Sequence, residues 1–353
     1  MNIEIQIREF LALMDRPAFC VSGGVITAVN ETARAMGIQP EAPVHTLIAH
    51  GGDVYDNYSD GMLYLTLRLP GSNPCARVSK LGGQDLFCLE PESEEQLQSL
   101  ALAAQSLRLP LSQVMTIYEQ LLPGLEQAAG EAEALQLCRM NRSLYQLLRL
   151  VGNMSDARNC GVSRMELQDL TAVLEEIMSH AKELCRDAGV TLEFDNHPAQ
   201  VFSIADSQKL ERAVYNLLSN ALRHTPAGGV IHAAFVRKGA AAVLTISDPG
   251  NGEPVSLSPE NFQKYHREPT LVSGQEGLGL GMTLIRSAAA AHQGALLLSP
   301  RTEGGMQAVL SLPIRQDTSQ LRSPMLRIDY AGERDHGLVE LSEFLPPEQF
   351  SSK

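Results

Sequence analysis

Asn216 and Asn220 stand four residues apart, a spacing that sets both side-chain amides on one face of a helix. A hard cation such as Mg²⁺ prefers oxygen ligands and keeps several waters, so one side-chain carbonyl plus phosphate oxygens is an adequate shell. Further on, Asp248-Pro-Gly250-Asn-Gly252 follows the apolar run 241–246. Its carboxylate can accept the exocyclic amine of adenine, and the two glycines let backbone approach a flat base closely. Gly277-Leu278-Gly279-Leu280-Gly281 leads into the helical run 282–292, where exposed amides at a helix start can face phosphates. Glu303-Gly304-Gly305-Met306 then precedes the apolar alternation 307–312. Each motif alone is common as a turn or a solvated face. In this order, with Gly294 among them, they supply the groups a Mg-nucleotide needs and point to an ATP site.

Other elements must position these groups. Leu167, Leu170, Leu174, Ile177, Ala181 and Leu184 alternate spacings of three and four, which predicts an amphipathic helix opening the nucleotide unit. The runs 190–194 and 199–202 read as strands, and Asp206 or Ser207 caps the helix that carries the asparagine pair. Upstream, Leu97, Leu100, Ala104, Leu107, Leu111, Val114, Tyr118 and Leu121 form one heptad seam, and Leu137, Met140, Leu144, Leu147, Val151 and Met154 form a second. Pro123-Gly124 and Gly130 predict the connecting loop between them. Two such helices cannot bury their stripes well alone, so a homodimeric four-helix bundle through residues 97–154 is expected.

The ordered motifs resemble the GHKL-type ATP-binding domain of sensor histidine kinases, and the likeness runs strongly over about residues 95–315. The resemblance implies Asn220 as the Mg ligand, Arg223 at phosphate and His224 on the sugar or base side. The nucleotide-binding set it implies is Asn216, Asn220, Arg223, His224, Asp248, Gly250, Gly252 and the 277–280 segment, Gly277, Leu278, Gly279 and Leu280. It also makes 261–267 the kinases' aromatic segment and 268–276 a lid over the phosphates. Gln105-Ser106-Leu107-Arg108-Leu109-Pro110-Leu111 resembles the phosphoacceptor segment, with Leu107, Arg108, Pro110 and Leu111 matching. The chemical positions differ. Gln105 stands where these kinases carry the phosphorylated histidine, and its amide nitrogen lone pair is delocalised into the carbonyl, unlike an imidazole nitrogen. Ser106 replaces the adjacent acid, and Leu109 cannot hold the water that serves phosphatase activity. No catalytic residue is therefore assigned.

Residues 1–92 read as a small mixed α/β module. A hairpin of 17–21 and 25–29 turns at Ser22-Gly23-Gly24, a short helix begins at Asn30, and strands follow at 61–69, 75–80 and 85–89. This order is similar to a PAS sensor domain. His45, His50 and Cys20 are read as structural or surface groups, with no cofactor assigned.

The chain has 353 residues, a formal net charge of −13 and six scattered cysteines without a Cys-x-x-Cys pair. The charge argues against nucleic acid as a partner, and the cysteines against a disulfide framework or zinc site. No apolar run reaches the ~18 residues needed to cross a bilayer, so a cytoplasmic protein is expected. The fold class is α+β multidomain: a PAS-like sensor (1–92), a dimerisation hairpin (93–160), an α/β-sandwich ATP-binding domain (161–315) and a C-terminal extension (316–353) whose acidic tail packs on the domain surface. The favoured function is an ATP-responsive pseudokinase or scaffold, with a partner histidine kinase or a response regulator as its partner. The alternatives are a kinase that phosphorylates a partner chain and a GHKL ATPase. The second is disfavoured because Asn216 occupies the place of the water-activating glutamate.

Overall fold

The computed structural model describes residues 3–89, 94–158, 164–197, 200–250, 280–316 and 334–351. Helix α1 (Ile3–Ala12) precedes strands β1 (Ala18–Ser22) and β2 (Val25–Val29), which are joined by a two-residue turn. Gly23 and Gly24 both have positive φ, +58° and +78°, as the favoured hairpin turn with the twist of its strands requires. Asn30 caps α2 (Glu31–Ala35) by accepting from the Ala33 amide, and its Nδ2 donates to the Met14 and Arg16 carbonyls. A 3-10 turn at Val44–Thr46, the short strand β3 (Ile48–His50) and helix α3 (Gly52–Asp56) follow, then β4 (Met62–Leu67), β5 (Cys75–Leu81) and β6 (Gln84–Leu89).

Two long helices come next, α4 (Glu94–Ala128) and α5 (Glu131–Arg158). The expected loop at Pro123-Gly124 is not there: Pro110 and Pro123 both lie inside α4, and the reversal takes only residues 129 and 130. A helix-interior proline costs about 3 kcal/mol, and the antiparallel packing of α4 on α5 offsets it. The Tyr118 hydroxyl ties the two helices by donating to the Leu137 carbonyl.

The expected seam is also divided. Ala101, Ala104, Met115, Tyr118 and Leu122 are buried within the chain, whereas Leu107, Val114 and Leu121 are each more than half exposed. Leu111 packs beside Met115, Leu148 and Val339. The apolar side of α4 is thus wider than one heptad stripe, and only part of it faces α5.

The remaining elements are β7 (Glu166–Asp169), α6 (Leu170–Asp187), β8 (Thr191–Asn196), β9 (Phe202–Ala205), α7 (Ser207–His224), β10 (Val230–Lys238), β11 (Ala241–Ser247), α8 (Leu280–Ala291), β12 (Ala295–Pro300), β13 (Met306–Pro313) and α9 (His336–Glu340). Leu167 belongs to β7 rather than to the helix, because Asp169 ends the extended stretch by capping α6. The second strand starts at Phe202 instead of 199, and pairs with β7 in a two-stranded sheet. Helices α6, α7 and α8 share one apolar core with strands β8 and β10–β13, giving an α/β sandwich.

The large sheet is continuous, in the order β2-β1-β6-β5-β4-β12-β13-β11-β10-β8 with β3 beside β4. All pairings in it are antiparallel except β10 with β8. The N-terminal sheet therefore does not stand apart from the nucleotide unit. β4 pairs with β12, Met62 and Tyr64 join the core under α6–α8, and Leu63, Leu65 and Leu67 join the N-terminal core. Gly61 (φ +94°) permits the join, since a Cβ there would lie 2.2 Å from the Leu298 carbonyl oxygen.

Candidate functional site

Helix α7 is built to present polar groups from an otherwise buried helix. The Asp206 side chain caps it by accepting from the Lys209 amide, and the Asp206 amide donates to His292 Nε2 at 2.9 Å. Burial holds the His292 pKa below the usual histidine value. The ring is accordingly neutral, with Nδ1 donating to the Ala288 carbonyl at 2.7 Å. That ring locks the end of α8 to the start of α7, so the two helices flank one cavity of about 570 Å³. This volume falls within the range of ordinary small-molecule sites.

Asn216, Asn220, Arg223 and His224 of α7 line the cavity, with Asp248 at the end of β11 and Leu280 and Gly281 at the start of α8. The helical run begins at 280, two residues earlier than expected. Of the sequence-derived set, six residues come together here, Asn216, Asn220, Arg223, His224, Asp248 and Leu280, and Gly281 joins them. Gly250 lies beside them, its amide donating to Asp248 Oδ1 at 3.0 Å. Gly252, Gly277, Leu278 and Gly279 lie outside the described residues, as do the aromatic segment and the expected lid.

Asp248 is buried and oriented. The Met306 amide reaches Oδ1 at 3.4 Å, and Arg301 donates to the Asp248 carbonyl at 3.0 Å. The carboxylate oxygen not engaged by these amides can take a hydrogen bond from a ligand amine. Gly305 (φ +81°) makes the approach possible, because a Cβ there would sit 2.1 Å from the Asp248 carbonyl oxygen. The Glu303-Gly304-Gly305 motif therefore acts on the site indirectly, by seating the Asp248 turn.

Asn216 is 1% exposed, and its Nδ2 donates to the Arg212 carbonyl at 2.8 Å. Its Oδ1 has no hydrogen-bond partner among the described residues, although such a buried acceptor normally has one. Gly281 packs against it, and a Cβ there would lie 2.8 Å from Oδ1. An unmet acceptor, a glycine cradle at a helix start and a carboxylate set for an amine fit a nucleotide with its phosphates toward α8. Asn220, half-buried and one turn beyond Asn216, offers a carbonyl to a cation at those phosphates.

Sequence reasoning missed the opposite wall. Gln146, Arg149, Leu150 and Asn153 of α5 and Glu343 of the tail also line the cavity. The tail, read from sequence as lying on the domain surface, is wedged between the helical hairpin and α6–α7. Arg334 makes a bidentate pair with Glu119 of α4 at 2.7 and 2.9 Å. Arg142 donates to the Ser342 and Glu343 carbonyls, and Asn141 to the Phe350 carbonyl. Glu340 is fully buried between Arg149 and Arg212, at 3.3 and 3.4 Å. On the other side His180 meets Asp335 at 3.0 Å and His336 meets Glu211 at 2.9 Å. A buried charge needs such partners, which is why the tail sits in the cleft. Arg142 and Arg149, seven apart, share one face of α5, whereas Glu343 lies beyond the end of α9 at Glu340 and carries no such spacing signal.

The five described cysteines are free, and no helix among the described residues is long and apolar enough to cross a membrane. His45 is exposed beside Asp56, and Cys20 is buried.

Comparison with known proteins agrees with the geometry. Residues 205–316 match the family described as histidine kinase-, DNA gyrase B-, and HSP90-like ATPase. The sensor histidine kinase TmoS of Ectopseudomonas mendocina is 28% identical over 61% of this chain and 22% of its own length. The sensor protein kinase PmrB of Pseudomonas aeruginosa is 29% identical over 64% of this chain and 46% of its own. The chain thus spans from about a fifth to about a half of these curated relatives. Among solved structures, full-length ShkA in complex with AMPPNP aligns at a TM-score of 0.49 and 18% identity, covering 64% of this chain and 47% of that one.

Proposed function

Since the chain belongs to the histidine kinase family and carries its GHKL-type ATP-binding domain, we propose that it keeps the nucleotide site and has lost the acceptor, acting as an ATP-responsive pseudokinase or scaffold. The observation that carries this reading is the pairing of two facts. The cavity gathers Asn216, Asn220, Arg223, His224 and Asp248, while the acceptor position on α4 holds an exposed Gln105. Ser106 does not replace a carboxylate, because its hydroxyl is turned back to the Leu102 carbonyl at 3.0 Å.

In this reading Asp248 takes the adenine amine, the start of α8 faces the phosphates, Asn220 ligates Mg²⁺, and Asn216 Oδ1 accepts from a water that the cation keeps. When bound, Mg-ATP supplies a transferable phosphoryl group, and Gln105 offers it no nucleophilic lone pair. What remains is binding energy: ligand at one hundred times its dissociation constant stabilises the bound state by about 2.7 kcal/mol, enough to bias a domain interface.

The same proposal includes a PAS-like N-terminal module, supported by its antiparallel strand order, and a homodimer through residues 97–154. The exposed Leu107, Val114, Ile117 and Leu121 on α4 support the dimer, since a contiguous apolar stripe marks an interface. The domain limits 1–92, 93–160, 161–315 and 316–353 belong to it too, as does a partner histidine kinase or response regulator. A cytoplasmic setting suits the free thiols.

Incubation of the full chain with Mg²⁺ and γ-labelled ATP, alone and with candidate partner kinases, tests the reading. Nucleotide binding without label on residues 94–158 is expected. Acid-labile, base-stable phosphate on any histidine of the wild type would overturn it.

A further inference from the structure

We infer that Arg149, on α5 of the helical hairpin, is a second cation for the nucleotide's phosphates, and that Glu343 of the tail sits between Arg149 and Arg223 as an internal stand-in for a phosphate oxygen. The inference rests on the reading of the cavity as a nucleotide site. Arg149 Nη1 and Arg223 Nη2 meet the same atom, Glu343 Oε2, at 3.4 and 2.8 Å. All three residues line the cavity.

Arg149 is held there independently of Glu343. Its Nη2 donates to Ser219 Oγ at 2.7 Å, one turn of α7 before Arg223, and its Nε faces the buried Glu340 at 3.3 Å. Glu343 is the least fixed member of the group, its side chain being 39% exposed against 14% for Arg149. One anionic oxygen shared by two guanidinium groups is the arrangement a phosphate oxygen adopts.

A triphosphate reaching Arg223 brings its oxygens against the Glu343 carboxylate. Like charges at that range repel, so nucleotide and Glu343 compete for the same pair of cations. Because Arg142 holds the Ser342 and Glu343 carbonyls, displacing the side chain changes how the tail bridges hairpin and nucleotide unit. By linkage, whatever pulls the tail away tightens nucleotide binding by the same factor.

The test is calorimetric titration of the full-length chain with Mg-ATP and, separately, with adenosine, which has no phosphate. Glu343→Gln should tighten Mg-ATP by about tenfold, the scale of one charge-assisted contact, and leave adenosine unchanged. In that background Arg149→Gln should loosen Mg-ATP by about tenfold, again without effect on adenosine; melting curves confirm that each variant folds. Equal Mg-ATP affinity in the wild type and Glu343→Gln overturns the inference while the site stands. So does an Arg149→Gln change that weakens adenosine and Mg-ATP alike. If neither ligand binds any variant, the nucleotide reading falls and this inference with it.

Discussion

Replacing Asn216 by Ala should make the ligand-free protein more stable and the ATP-loaded protein less so. The side chain is buried with Oδ1 unpartnered among the described residues, and such an acceptor costs about 1–3 kcal/mol. Alanine also removes up to about 0.7 kcal/mol of unfavourable helix propensity. Against this stands the lost Nδ2 bond to the Arg212 carbonyl, about 1 kcal/mol, in a carbonyl that keeps its helical partner. The balance is a gain of about 1 kcal/mol, which moves the melting temperature of a unit this size up by about 2–4 °C. Excess Mg-ATP should instead stabilise the wild type by about 2.7 kcal/mol at one hundred times its dissociation constant, and the variant by much less. Thermal unfolding with and without Mg-ATP reads both effects, and the rank order should invert. A variant that melts below the wild type without ligand, yet responds equally to Mg-ATP, would refute the assignment of the orphan oxygen to the ligand.

Leu107→Asp with Val114→Asp should turn a dimer into a folded monomer by sedimentation at micromolar concentration, since both positions are more than half exposed in one chain; a monomeric wild type contradicts the interface. Leu111→Asp should instead unfold the hairpin, because Leu111 packs against Met115 and Leu148. Gly305→Ala should cost about 1–2 kcal/mol from its left-handed backbone alone, plus the overlap with the Asp248 carbonyl. Weakened Mg-ATP binding in the folded fraction checks the role of that turn. The tail docks through His180 and Asp335. The Asp335 hydrogen bond raises the His180 pKa above the usual histidine value, against the effect of burial. Burial pushes the Asp335 carboxyl up, but the His180 bond and the Leu338 and Gly337 amides outweigh it and hold it below 3.8. A raised histidine stabilises fully below 6.5 and loses that contribution as pH rises through its folded value. A depressed carboxyl stabilises above 3.8 and loses its share as pH falls through its folded value. The cost of His180→Ala in melting temperature should therefore be larger at pH 5.5 than at pH 8.5, and an equal cost at both contradicts the pair. Gln105→His with Ser106→Glu should recover phosphate on α4 if the nucleotide unit reaches it, as mapped by labelled ATP.

That Asn216, Asn220 and Asp248 come together on one cavity was legible because each lies on its own short stretch: helical spacing for the asparagines, a strand end for Asp248. The strands of the N-terminal module were legible for the same reason. Pro123 misled, since a proline signals a break only where packing does not compensate, and the packing of α5 against α4 compensates here. The joined sheet was not legible either. β4 has apolar side chains on both faces, which reads simply as a buried strand; that its second face belongs to the nucleotide core depends on β12, more than two hundred residues away. Arg149 and Glu343 meet across a similar separation, so no local pattern assigns them to the cavity.

The central claim is a retained ATP site in a chain without its acceptor, and equilibrium titration of the full-length protein with Mg-ATP tests it most directly. Saturable binding at one site per chain is predicted, abolished by Asp248→Asn and strongly weakened by Asn220→Ala. No binding to the wild type, or binding that both variants leave untouched, would contradict it.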